Sequence, residues 1–90
     1  MCTYLTTYLE VEGSGKGPEG WFPLTDVTVY YDHPVHAWSE RTLNIDFFQL
    51  DDGVAKRVAV ELDPASARAI AAAIVEMLDT APVPVLEPSA

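Results

Sequence analysis

Apolar and polar residues alternate in four segments of this chain, and a side-chain period of two is typical of β-strands. The segments are residues 1–12, 25–32, 42–50 and 54–62. The sequence DDG at residues 51–53, between the last two segments, is typical of a hairpin turn. The pattern therefore predicts four strands in a mostly antiparallel sheet.

A helix is predicted directly after the fourth strand. Asp63 suits the N-cap position, and Pro64 suits the first helical position, where its missing N–H costs nothing. Strong helix formers, six of them alanine, continue to about Asp79. An apolar stripe is formed by Ile70, Ile74, Met77 and Leu78. The order β-β-β-β-α predicts an α+β fold, in which the C-terminal helix packs on one face of the sheet.

A single helix covers only one face of a sheet, so the two faces must differ in composition. The positions predicted to lie under the helix are apolar: Leu5, Leu9, Val27, Val29, Leu43, Ile45, Val58 and Val60. The opposite face gathers polar and aromatic residues: Cys2, Tyr4, Thr6, Tyr8, Thr28, Tyr30, Asp32, Asn44, Asp46, Phe48 and Arg57. Tyrosines suit an interface or a ligand surface. The alternative is that these aromatic rings only pack across neighbouring strands.

The length of 90 residues predicts a single domain, over residues 1–79, followed by a proline-rich tail over residues 80–90. A domain this small has a small core. A homodimer is therefore expected, in which two tyrosine-bearing faces pack together. The Ala69/Ala73 edge of the helix is a second possible contact, because small residues allow close approach.

The net charge of −9 argues strongly against nucleic-acid binding and disfavours an anionic membrane surface, because both partners require clustered basic residues. Five basic residues are scattered along the chain: Lys16, Arg41, Lys56, Arg57 and Arg68. No secretory signal or membrane-spanning apolar run is recognisable, which predicts a cytoplasmic location. A cationic partner, a metal ion, a small molecule or another protein remains compatible with this charge.

The only two histidines, His33 and His36, flank a proline in the sequence YYDHPVH. Imidazole, thiolate and carboxylate groups are ligands for zinc and similar transition metals, which suggests a set of Cys2, His33, His36 and Asp46. Tyr4, Tyr30 and Asn44 are candidate ligand-binding residues on the same face. Two other interpretations of the histidines stay open. They are exposed loop residues, with His33 hydrogen-bonded into a turn that Asp32 begins, or they act in acid–base chemistry.

The glycine-rich sequence GSGKGPEG at residues 13–20 predicts a mobile loop. It does not match the Walker pattern, because Gly17 follows Lys16 where Ser or Thr is needed. Trp21 and Phe22 follow this segment, either as an anchor where the loop rejoins the fold or as an aromatic lid.

Four stretches together resemble a family of small uncharacterised bacterial proteins. They are the MCTY start, the run GPEGWFPLTDVTVYYDHPVHA, the strand LNIDF and the segment VAVELDPASARAIAAAI. The resemblance covers nearly the whole chain except the tail, and it implies one coherent unit without implying a reaction.

The residues predict a small binding or accessory protein, with a metal or small-ligand site beside the 32–36 loop on a homodimeric sheet face. The alternative function is a compact metal-dependent or Cys/His enzyme whose site lies at a dimer interface.

Overall fold

The computed structural model describes residues 5–32, 41–50 and 56–82. Four strands form one antiparallel sheet in the order β1-β2-β3-β4, and one helix follows. The elements are β1 (Leu5–Gly17), β2 (Gly20–Asp32), β3 (Thr42–Gln49), β4 (Lys56–Leu62) and α1 (Pro64–Thr80). The predicted α+β fold is confirmed.

The prediction of a loop over residues 13–20 is wrong. β1 continues to Gly17 and β2 begins at Gly20, so the two strands form a long hairpin in which only residues 18–19 turn. A Cβ atom at Gly15 would stand 3.1 Å from Leu24 Cδ2, and one at Gly17 would stand 3.4 Å from the Phe22 ring. The glycines therefore make room for large side chains of β2. Gly20, with a φ of 114°, supplies the left-handed conformation that ends the turn.

The hairpin contains a β-bulge in its first strand. Glu10 lies opposite Asp26, and Gly13 lies opposite Leu24. Between these two pairs β1 advances by three residues and β2 by two, so the bulge accommodates one extra residue of β1. Regular pairing of β1 with β2 over residues 5–10 ends at this point.

The strand register confirms the predicted division of the sheet into two faces. One row across the sheet contains Leu9, Val27, Phe47 and Val58, and a second row contains Leu5, Tyr31, Leu43 and Leu62. We call the side of the sheet that carries these rows the helix face and the opposite side the outer face. The helix lies over the helix face, and the two enclose an apolar space of about 360 Å³ lined by Val29, Leu43, Ile45, Leu62, Ala67, Arg68, Ile70, Ala71 and Ile74.

The helix begins and ends as its sequence predicts. The backbone N–H of Ser66 donates a hydrogen bond of 2.7 Å to Asp63 Oδ1, which confirms Asp63 as the N-cap. This hydrogen bond holds the pKa of Asp63 below its ordinary value. At the other end, the N–H of Ala81 donates to the carbonyl of Met77 at 2.9 Å.

Although the helix is well formed, the sheet leaves most of it uncovered. No residue of α1 is buried in the described helix, and Leu78 is 71% exposed. Leu5, on the helix face of β1, is also 71% exposed. Apolar surface of this extent is a feature of proteins that associate. Over the described residues, no helix has the combination of length and apolar character needed to span a membrane.

Candidate functional site

The centre of the outer face holds polar side chains that are shielded from solvent. Asn44 of β3 lies directly between Tyr30 of β2 and Glu61 of β4. Asn44 is only 3% exposed, and Thr42, two residues earlier on the same side of β3, is fully buried. The helix covers the opposite face, so this burial does not come from the main apolar core.

Thr42 and Asn44 hold each other by two hydrogen bonds. The Thr42 hydroxyl donates to Asn44 Oδ1 at 3.1 Å, and Asn44 Nδ2 donates to the carbonyl of Thr42 at 3.2 Å. A primary amide has two N–H donors and an oxygen with two lone pairs. Among the described residues, one N–H and one lone pair of the Asn44 amide therefore have no direct protein partner. The two hydrogen bonds to Thr42 also fix the orientation of the amide.

A second polar cluster lies further along the same face, around Asp26. This carboxylate is 3% exposed and accepts hydrogen bonds from the hydroxyls of Tyr8 and Thr25. The hydrogen bond from Tyr8 to Asp26 raises the pKa of Tyr8 to about 12, with smaller contributions from desolvation and from the charges of Asp26 and Glu10. The Leu50 N–H donates to Thr25 Oγ1 at 3.0 Å and connects the cluster to the end of β3.

Asp46, a predicted metal ligand, lies between these two clusters. Its carboxylate accepts a hydrogen bond from Arg57 Nη2 at 3.1 Å and forms an ion pair with it. The two residues occupy neighbouring positions on β3 and β4, since Arg57 pairs with Phe48 and Ala59 pairs with Asp46. The carboxylate is thus already engaged by a cation.

The predicted ligand-binding pair Tyr30 and Asn44 is brought together, because the two are direct partners across β2 and β3. The other predicted residues Cys2, Tyr4, His33 and His36 lie outside the described residues. Over residues 5–32, 41–50 and 56–82, no group of three or more His, Cys, Asp or Glu residues is arranged to hold a metal ion.

Sequence reasoning missed Thr42 and Asp26 as site residues, although the signal was present, and it missed Thr25, for which strand parity gives no signal. Thr42 is two residues from Asn44 in the same strand, so its side chain lies on the same face of the sheet, the outer face. Asp26 shares parity with Tyr30 in β2. Burial of these polar groups was the missing information, because alternation identifies a face and not what shields it.

A separate cleft of about 290 Å³ lies at the turn of the β1–β2 hairpin. Its walls are Gly17, Pro18, Glu19, Gly20, Trp21, Phe22, Lys56 and Arg57. Phe22 is 6% exposed and packs into the fold, whereas Trp21 is 69% exposed. Both residues lie within β2, so neither anchors a loop as the sequence predicted. Lys56 Nζ lies 6.0 Å from the centroid of the Phe22 ring. The acidic Glu19 and the ion pair of Arg57 with Asp46 leave this cleft without a clear charge preference.

A family model matches residues 1–87 of the 90 residues, and this range includes every described residue of both polar clusters. The chain belongs to DUF6295, a family of unknown function. The DUF6295 match covers nearly the whole chain and agrees with the predicted resemblance to an uncharacterised family. No curated protein and no solved structure matches the chain.

Proposed function

We propose that this member of DUF6295 is a small cytoplasmic binding protein that works as a homodimer. Its outer face holds a small polar ligand, either neutral or cationic, or a metal ion, beside the 32–36 segment. The observation that carries this proposal is the buried, oriented amide of Asn44 between Tyr30 and Glu61. Burying polar groups is costly, and such groups with spare hydrogen-bonding capacity are typical of ligand sites.

The charges of the outer face support a neutral or cationic ligand. Its described strand positions hold the five acidic residues Glu10, Asp26, Asp32, Asp46 and Glu61, and one cation, Arg57. An anionic ligand would meet net repulsion there, whereas an amine or a metal ion would be attracted. The position of Glu61 beside Asn44 favours a ligand that carries a positive charge and a hydrogen-bonding group.

A panel of amines, amino acids and divalent metal salts, screened by the thermal unfolding midpoint, tests this function. Glu61→Gln should weaken binding of a hit at least about 10-fold, because it removes the nearest charge. Glu10→Gln is the matched control, since it makes the same change on the same face away from Asn44, and it should change affinity less than 2-fold by this reasoning. Failure of every compound to stabilise the protein, or equal loss in both variants, would contradict the proposal.

A metal ion as the ligand requires its own experiment. Cys2, His33 and His36 carry the sulfur and nitrogen atoms that zinc prefers, and Asp46 would join them only by leaving Arg57. Elemental analysis of protein purified without a histidine tag should give close to one metal per chain, and His33→Ala with His36→Ala should remove it. Less than about 0.2 metal per chain would exclude the metal and leave the organic ligand.

The open apolar surface supports the homodimer, and Tyr8 of the tyrosine-bearing outer face is also 52% exposed. Tyr30 is half-buried on the outer face, whereas Leu5, Val75, Met77 and Leu78 are 57–71% exposed. Covering these side chains would add to a small core, in which only Phe22 and Val27 are the buried hydrophobic residues described. Light scattering after gel filtration should give the mass of two chains, and a monomer throughout the micromolar range would refute the dimer.

A further inference from the structure

In the part of the chain that the structure describes, β1 is an edge of the sheet, and one side of its backbone pairs with no other described strand. Edge strands are commonly protected by charged side chains, because their free N–H and C=O groups can pair with another chain. In β1, residues 5–9 read LTTYL, carry no charge and are all exposed. This stretch is therefore an unprotected edge.

We infer that β1 pairs with β1 of a second copy, antiparallel and around a two-fold axis at Thr7. This inference rests on the proposed homodimer and adds its architecture. Residues directly opposite each other in a sheet point to the same side. The two-fold axis must therefore pass midway between the two copies of one residue. With the axis at Thr7, Leu5 lies opposite the partner's Leu9 and Leu9 lies opposite the partner's Leu5. The most exposed leucines of the strand are then buried against each other.

The charges of β1 are compatible with this register. Glu10 and Glu12 lie beyond the 5–9 segment, and the bulge between Glu10 and Gly13 ends its regular geometry. An axis at Val11 would instead place Glu10 opposite the partner's Glu12, and like charges in direct opposition are destabilising. A position near Thr7 avoids this repulsion in a chain whose net charge is −9.

The arrangement also brings the two helices to the same side. The two-fold axis of an antiparallel strand pair is perpendicular to the sheet, so both α1 helices lie on one face of a continuous sheet with four strands from each copy. Of the exposed apolar side chains on that face, Leu5 and Leu9 lie at the seam itself, whereas α1 lies over Val29, Leu43, Ile45 and Leu62 of the other three strands.

The other edge strand, β4, is the rival interface. An axis at Ala59 would pair Arg57 with the partner's Glu61, but Arg57 already forms an ion pair with Asp46 within its own chain. The apolar residues Val58, Val60 and Leu62 of β4 are already half-buried on the helix face. Pairing at β4 therefore removes less apolar surface from water than pairing at β1.

Disulfide cross-linking tests the position of the axis. In a Cys2→Ser background, Thr7→Cys places two thiols opposite each other, about 5 Å apart between Cα atoms, which a disulfide can bridge. Mild oxidation should convert most Thr7→Cys protein into a covalent dimer. Ala59→Cys, the matched control at the centre of β4, should stay largely uncross-linked. Rapid cross-linking of Ala59→Cys with none at Thr7→Cys would assign the interface to β4 and overturn the inference.

A second pair of variants tests the buried leucines and separates this inference from the homodimer itself. Leu5→Glu should raise the dimer dissociation constant at least about 100-fold by placing two carboxylates in the interface. Ser14→Glu adds the same charge to the same strand beyond the bulge. It should leave the dimer dissociation constant within about 3-fold of the wild-type value. A wild-type dimer that Leu5→Glu does not weaken would refute pairing at β1 and leave the homodimer standing. A wild-type monomer would refute both, while the ligand site would still be tested by Glu61→Gln.

Discussion

Thr42 offers a sensitive test of whether the buried polar pair on the outer face contributes to stability. Its side chain is fully buried, and its hydroxyl donates a hydrogen bond to Asn44 Oδ1 at 3.1 Å. Thr42→Val preserves the shape of the side chain but removes the donor. The substitution therefore isolates the hydrogen bond from packing, because valine and threonine have nearly the same volume.

The magnitude follows from what the substitution leaves behind. The lost hydrogen bond itself contributes about 1 kcal/mol, and the desolvated Oδ1 of Asn44 that loses its donor adds about 1–3 kcal/mol. We expect a loss of about 2 kcal/mol in the free energy of unfolding. For a domain of this size, the thermal midpoint should fall by about 10 °C.

Urea unfolding followed by circular dichroism is the appropriate assay, at one fixed protein concentration because association adds to stability. Thr28→Val is the matched control, since it is the same substitution at a half-buried position of the outer face, and it should change stability by less than about 0.5 kcal/mol. A Thr42→Val loss no larger than that of Thr28→Val would refute the reasoning. In a double-mutant cycle with Asn44→Ala, a coupling of about 1 kcal/mol should appear.

The remaining predictions concern the hairpin, the helix cap and the Tyr8–Asp26 cluster. Gly15→Val should cost about 2 kcal/mol in urea unfolding because its side chain would overlap Leu24, whereas Gly13→Val should be tolerated, since nothing lies within 4 Å of its Cβ position. Asp63→Ala should lower the thermal midpoint of unfolding. The difference in midpoint between wild type and variant should be complete above about pH 4 and should vanish as pH falls through the lowered pKa of Asp63. Tyr8→Phe should remove a tyrosinate absorbance step near pH 12. The stabilisation linked to the raised pKa of Tyr8 is complete below about pH 10 and is lost as pH rises through about 12. A wild-type titration without that absorbance step would contradict the hydrogen bond to Asp26.

The helix and the two faces of the sheet were predictable because their signals are local. An aspartate before a proline, followed by helix formers, specifies the start of α1 within the segment itself. Strand alternation specifies which side chains share a face, whatever the strand order is. Tyr30 and Asn44 could therefore be assigned to one surface before their pairing was known.

The long hairpin was not predictable from local signals, because glycines ordinarily indicate loops. Gly15 and Gly17 are strand residues here for a non-local reason: Leu24 and Phe22 of the facing strand occupy the space that a side chain would fill. The burial of Asp26 and Thr42 is likewise a tertiary property, since the sequence indicates only which face of the sheet they occupy.

The proposed dimer leaves the two polar clusters of the outer face apart. With the axis at Thr7, Tyr8 of one chain lies opposite Thr6 of the other, whereas each Asp26 lies one strand further from the axis and level with Glu10. The two Asp26 positions are then roughly 20 Å or more apart, because strand spacings across the sheet and residue steps along the strands both separate them. Charges at that distance are largely screened by salt, so dimerisation should leave the attraction of each outer face for amines and metal ions nearly unchanged. Ligand binding that weakens in Leu5→Glu, although Asn44 and Glu61 are untouched, would contradict this independence.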